Sequence, residues 1–181
     1  IGPVLERHRD AVVLATKFRF RMGPGPLGTG ASRRRIVKAC EDSLRRLQTD
    51  RIDLYQSHLE DPDATHEETL SAYAELSAAG KVRAIGASNF TPQAMRDALA
   101  VSMRLGLPRY ETLQPLYNLC DREGFEAELG ALCRDEGIGV IILTGQGESG
   151  DEDQGQQQGS RVSFHGGKPT AGRGQVLNCA H

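Results

Sequence analysis

Along positions 1–143, apolar residues recur in two alternating rhythms. Val12 to Thr16 is a compact β-prone run, and Ser32 to Leu47 follows with Ile36, Val37, Cys40, Leu44 and Leu47 on one helical face, Ser32 standing at its N-cap. Arg51 to His58 is the second extended run, after which Leu70, Tyr73 and Leu76 mark a helix closed by Gly80. Lys81 to Ser88 is the third strand. The helix after it is capped by Thr91 and opened by Pro92, with Met95, Ala98 and Leu99 inward. Tyr110 to Tyr117 and Ile138 to Leu143 supply strands four and five, separated by a helix from Phe125 to Arg134. A strand returning about every 30 residues, with a helix between successive strands, predicts parallel βαβ units and an α/β fold.

A doubly wound sheet and a (β/α)8 barrel both fit that beat. No Gly-x-Gly-x-x-Gly leads from a strand into a helix, which removes the main sequence support for a dinucleotide-type sheet. Gly25 to Ser32 has the glycine spacing of a phosphate-binding loop, but Ala31 stands where the phosphate Lys belongs, so that segment reads as a surface crossover. The barrel gains by elimination. After Leu143 the rhythm stops: 144–181 is rich in Gly and Gln, too polar to bury a core, and expected to be disordered from Asp151 to Gly159. The expected organisation is a partial (β/α) barrel over 1–143 followed by this tail.

Charge narrows the function classes. With 22 Lys+Arg against 24 Asp+Glu and a formal charge of -2, the chain lacks the cationic excess that nucleic-acid or membrane-surface binding requires. No stretch approaches the roughly 20 apolar residues that span a bilayer, and no secretory leader is visible, so a cytoplasmic location with reduced cysteines is expected. Arg33-Arg34-Arg35 at a helix start reads as a solvated face, and His66-Glu67-Glu68 as the polar first turn of a helix.

In a parallel barrel the chemistry sits at the carboxyl ends of the strands. Strand one ends at Lys17, strand two at His58 and strand three at Ser88-Asn89, while strand four carries Gln114 between apolar neighbours. A cation and an imidazole polarise a carbonyl, and a hydroxyl with two amides can pair with a carboxamide. Each group alone has an ordinary structural use; four successive strands presenting them at one end is what points to a site.

Ala15-Thr16-Lys17-Phe18, Asp53-Leu54-Tyr55-Gln56-Ser57-His58, Ile85-Gly86-Ala87-Ser88-Asn89-Phe90 and Gln114-Pro115-Leu116-Tyr117-Asn118 resemble, in order and spacing, the motifs of the aldo-keto reductases, over about residues 1–141. Tyr117-Asn118-Leu119 and the segment Asp121 to Glu126 are similar to the bacterial-type members. The resemblance implies a (β/α)8 barrel that passes hydride from NADPH to an aldehyde or ketone through an Asp-Tyr-Lys-His tetrad. It implies that Lys17 lowers the pKa of the catalytic phenol, that His58 orients the carbonyl, and that Ser88, Asn89 and Gln114 hold the nicotinamide carboxamide.

Departures from the family pattern shape the expectation for this chain. Ile1-Gly2 resembles the end of the family's first motif, which puts the tetrad's Asp and Tyr ahead of residue 1. Tyr55 alternates to the face opposite His58. Ile142 and Leu143 stand where the family has a Pro and a stacking aromatic, and no counterpart of the last strand or the adenosine-phosphate loop is recognised after Leu143. A section truncated at both ends, weakly active or inactive alone, is therefore expected, with its open sheet edges unpaired. A non-catalytic module that senses nicotinamide nucleotide is the alternative.

Overall fold

The structure, a computed structural model, describes residues 2–25, 27–144, 161–162 and 175–179, with side chains over 5–25 and 27–142. Helix α1 (Gly2–His8) and a 3-10 turn (Arg9–Ala11) lead into β1 (Val12–Phe18). Then α2 (Arg33–Leu47), β2 (Ile52–Ser57), α3 (His66–Ala78), β3 (Val82–Ser88), α4 (Pro92–Leu105) and β4 (Thr112–Gln114) alternate. A π-helical turn (Phe125–Leu129) runs into α5 (Gly130–Glu136), followed by β5 (Gly139–Val140). Strands β1 to β5 pair in parallel in chain order, the topology of consecutive βαβ units and of a section of a (β/α)8 barrel.

Three short strands complete the described residues: β6 (Leu143–Thr144), β7 (Arg161–Val162) and β8 (Gln175–Cys179). β8 pairs in parallel with β1 from Val12 to Thr16, and β6 pairs antiparallel with β7. The sequence reading expected no strand beyond Leu143. The exposed backbone edge of β1 offers unpaired N–H and C=O groups, and Val176-Leu177 is the most β-prone pair in the tail, so the segment adds to that edge despite its polar surroundings. The expectation of disorder from Asp151 to Gly159 lies outside the described residues. No helix among the described residues is long and apolar enough to cross a membrane.

Strands four and five are shorter than their hydrophobic runs. Pro115 has no N–H for the ladder and ends β4 at Gln114. Gly137 adopts φ +66° at the end of α5, and Ile138 N–H is spent on the Cys133 carbonyl, which delays β5 to Gly139. The helix starts also divide. Thr65 and Thr91 cap α3 and α4 by accepting from Glu68 and Ala94 N–H, but Ser32 makes no such bond at α2, where Glu68 Oε1 takes Arg33 N–H at 2.8 Å. Arg35 is not part of a solvated face: it is 2% exposed and Nη2 donates to the Phe20 carbonyl at 3.3 Å.

The helix-facing side of the sheet is the main core. Phe18, Tyr55, Tyr73, Tyr110 and Phe90 form a chain of edge and tilted ring contacts with centroids 5.1–6.0 Å apart. Their buried hydroxyls are satisfied: Tyr55 donates to the Ile36 carbonyl, and Ser57 Oγ shares hydrogen bonds with Tyr73 and Tyr110. At the opposite end of the strands, Asp53 ties β1, β2 and β3 together. It accepts from Arg9 at 2.7 Å, Leu14 N–H at 2.9 Å and Arg83 at 3.2 Å. Burial pushes this carboxyl up, but those hydrogen bonds and the two arginine charges outweigh it and hold it below the usual carboxylate value.

Candidate active site

Strand alternation gives the sheet a second face. Ala15, Leu54 and Ile141 form a cluster with Val13 and Ala84, separate from the helix-side core. Continuing that face toward the carboxyl ends brings up Lys17 on β1, Gln56 on β2, Gly86 and Ser88 on β3, and Thr112 and Gln114 on β4. The pairings Lys17 with Gln56, Gln56 with Gly86, Gly86 with Thr112 and Ser88 with Gln114 set them in neighbouring rows. His58 follows β2, its N–H donating to the Phe18 carbonyl at 3.2 Å, which extends the ladder far enough to return the imidazole to this face.

The five residues expected from sequence sit on this rim, and four are bonded together. Gln114's carbonyl accepts from Ser88 Oγ at 2.9 Å and from Asn89 N–H at 3.1 Å. Asn89 Nδ2 donates to Ser88 Oγ at 3.1 Å and to the His58 carbonyl at 3.3 Å. That geometry places Asn89 at φ +53°, a left-handed conformation that Asn tolerates better than most residues. Lys17 joins the group through its charge. It makes no hydrogen bond or ion pair among the described residues, and burial lowers its pKa to about 8. Burial and the Lys17 charge both lower the pKa of His58, which favours the neutral imidazole near pH 7.

The sequence reading missed three supports of this rim. Phe20 packs edge-on to His58 with ring centroids 4.5 Å apart, and the buried Arg35 holds the Phe20 carbonyl. Gln56, 0% exposed, donates from Nε2 to Gln114 Oε1 at 3.5 Å. Gly86 leaves room between β2 and β4: a Cβ there would lie 2.4 Å from Thr112 Oγ1 and 3.0 Å from Gln56 Cγ. The alternation Leu54, Gln56, His58 was the available signal for Gln56, whereas Phe20 and Arg35 lie in loop and helix positions whose meeting no local pattern announces.

No phenol reaches this rim among the described residues. Tyr55, Tyr73 and Tyr110 are buried on the helix side, where burial pushes their pKa values up, to about 12 for Tyr110. Tyr117 donates to Glu126 at 2.6 Å. What the rim offers is a cation, a neutral imidazole and two amides with unused capacity: neither Gln114 Nε2 nor Asn89 Oδ1 is bonded among the described residues. One donor and one acceptor are the complement of a primary carboxamide. The donor set therefore fits the nicotinamide end of a pyridine nucleotide.

A parallel βαβ sheet with its polar residues at the strand ends is the arrangement of a barrel enzyme's active face. The profile of the aldo/keto reductase family matches residues 1–158, and the chain belongs to that family. It is 44% identical to aldo-keto reductase YhdN of Bacillus subtilis (strain 168) over 149 residues, covering 74% of this chain and 43% of that protein. It is 31% identical to L-glyceraldehyde 3-phosphate reductase of Escherichia coli (strain K12) over 137 residues, 76% of this chain and 39% of the relative. A probable voltage-gated potassium channel subunit beta of Arabidopsis thaliana is 33% identical over 150 residues, 78% of this chain and 45% of its own length. The chain spans about two fifths of the length of the curated reductases it matches.

Proposed function

We propose that this chain carries the Lys/His half and the nicotinamide half of an NADPH-dependent carbonyl reductase site acting on a small aldehyde or ketone in the cytoplasm. The observation that carries this reading is the joint placement of Lys17, His58 and the Ser88-Asn89-Gln114 cluster on one rim. When bound, the nucleotide supplies the hydride. Ser88 fixes the Gln114 backbone, and Asn89 and Gln114 present an acceptor and a donor to the carboxamide. The neutral His58 donates one N–H to the substrate oxygen, and Lys17 supplies positive charge where that oxygen gains electrons. Among the described residues the rim has no phenol as proton donor, so turnover by this chain is expected to be weak.

The test is NADPH oxidation by the purified chain over a panel of small aldehydes and ketones. Slow oxidation above background that disappears in Lys17→Met and in His58→Ala supports the assignment. Rates identical in the chain and both variants overturn it. A second reading, a nicotinamide-nucleotide sensor that reports to a partner, is favoured by the rim's lack of a phenol and by the similarity to the Arabidopsis channel-subunit relative. Tight nucleotide binding without any oxidation selects that reading over the reductase.

A further inference from the structure

Among the described residues, Gln56 is a fully buried polar side chain of the inner face with an unused atom beside the rim. Its Nε2 donates to Gln114 Oε1, while its own Oε1 has no partner among the described residues. A buried acceptor without a donor is costly, so the orientation of this amide needs a reason. The strand order provides one. β2 lies between β1 and β3, and Gln56 pairs in register with Lys17 on one side and with Gly86 on the other. Because Gly86 has no side chain, Gln56 reaches across β3 to Gln114 on β4.

The strand neighbours of Gln56 thus differ chemically. Lys17 carries only donors, so the side toward β1 favours an oxygen. Gln114 can turn either amide atom toward Gln56. With the Gln56 oxygen on the β1 side, the Gln56 nitrogen selects the oxygen of Gln114, and the Gln114 –NH2 is left for a ligand. Turning only one of the two amides would set two amide nitrogens or two amide oxygens against each other.

Resting on the carboxamide reading above, we infer that Gln56 is a positioning residue: reaching from β2 to β4 over Gly86, it fixes the Gln114 amide with its donor toward the nicotinamide carbonyl. Gln56 touches neither substrate nor nucleotide, and the residue it acts through is Gln114.

The experiment is a double-mutant cycle on NADPH affinity, read by nucleotide fluorescence, for the wild-type chain, Gln56→Met, Gln114→Leu and the double variant. Met matches the length of Gln and keeps the Cγ that lies beside Gly86; Gln56→Leu replaces it if the Met variant melts without cooperativity. Loss of one aligned hydrogen bond predicts affinity weakened about fivefold in Gln56→Met. In the Gln114→Leu background the same change has an effect below about twofold, because no amide remains to orient. A merely structural disturbance would weaken binding equally in both backgrounds, and that result overturns the inference. So does a Gln56→Met variant that binds like wild type. A wild-type chain that binds neither NADPH nor NADH overturns the cofactor reading itself and this role with it.

Discussion

Replacing Gly86 by Ala tests the geometry of the rim without touching a titratable group. The added Cβ would lie 2.4 Å from Thr112 Oγ1, 3.0 Å from Gln56 Cγ and 3.3 Å from Leu54 Cδ1. The first contact is about 1 Å inside van der Waals distance, and Thr112 sits on a paired strand that cannot retreat alone. Overpacking of this kind costs about 1–3 kcal/mol. Taking about 2 kcal/mol, a chain of this size loses about 4–8 °C in Tm. The assay is thermal unfolding by circular dichroism of Gly86→Ala, Thr112→Ala and the double variant. Removing the Thr112 hydroxyl should recover most of the Gly86→Ala loss. A Gly86→Ala chain that melts like wild type, or a loss that Thr112→Ala leaves untouched, refutes the claim that β3 is kept bare to let β2 and β4 meet.

Three further outcomes follow from the electrostatics. Lys17 has a folded pKa lowered by burial to about 8, so its ammonium destabilises the fold below that pH, and the penalty fades as pH rises through 8 toward the unfolded lysine value. Lys17→Met should therefore raise Tm at pH 7 and lose that advantage by about pH 10.5, as pH-resolved melts would record. The His58 titration, followed by NMR of the imidazole, should move upward in Lys17→Met, because burial then acts without the neighbouring charge; an unchanged midpoint would separate the two residues. Asp53→Asn should cost about 2 kcal/mol at neutral pH, chiefly through Arg9, and flatten acid sensitivity. The depressed Asp53 pKa makes its contribution present above the ordinary carboxylate range and lost as pH falls through the folded value. Identical acid limbs in the two melting profiles would contradict that.

The alternation of apolar runs made β1 to β5 and the intervening helices readable because each element buries one regular face. Lys17, His58, Ser88, Asn89 and Gln114 were readable for a related reason: each ends a strand, and parallel strands carry their ends to one rim. What escaped was non-local. Glu68 replaces Ser32 at the start of α2 from 35 residues away, and Arg35 is buried by a loop carbonyl rather than by its helix pattern. Pairing of Gln175–Cys179 with β1 depends on an open backbone edge, which composition does not reveal. Gln56 lay in plain sight inside a strand, yet its bridge to Gln114, two strands away, depends on the missing side chain of Gly86 on the strand between them.

The central claim is that this rim holds the nicotinamide end of a pyridine nucleotide. Thermal unfolding of the purified chain with and without saturating NADPH, alongside Ser88→Ala and Gln114→Leu, tests it most directly. Nucleotide at about a hundred times its Kd adds about 2.7 kcal/mol, which predicts a cooperative transition raised by about 5–10 °C in the wild-type chain and by clearly less in both variants. A transition that NADPH leaves unmoved, or moves equally in all three proteins, contradicts the claim.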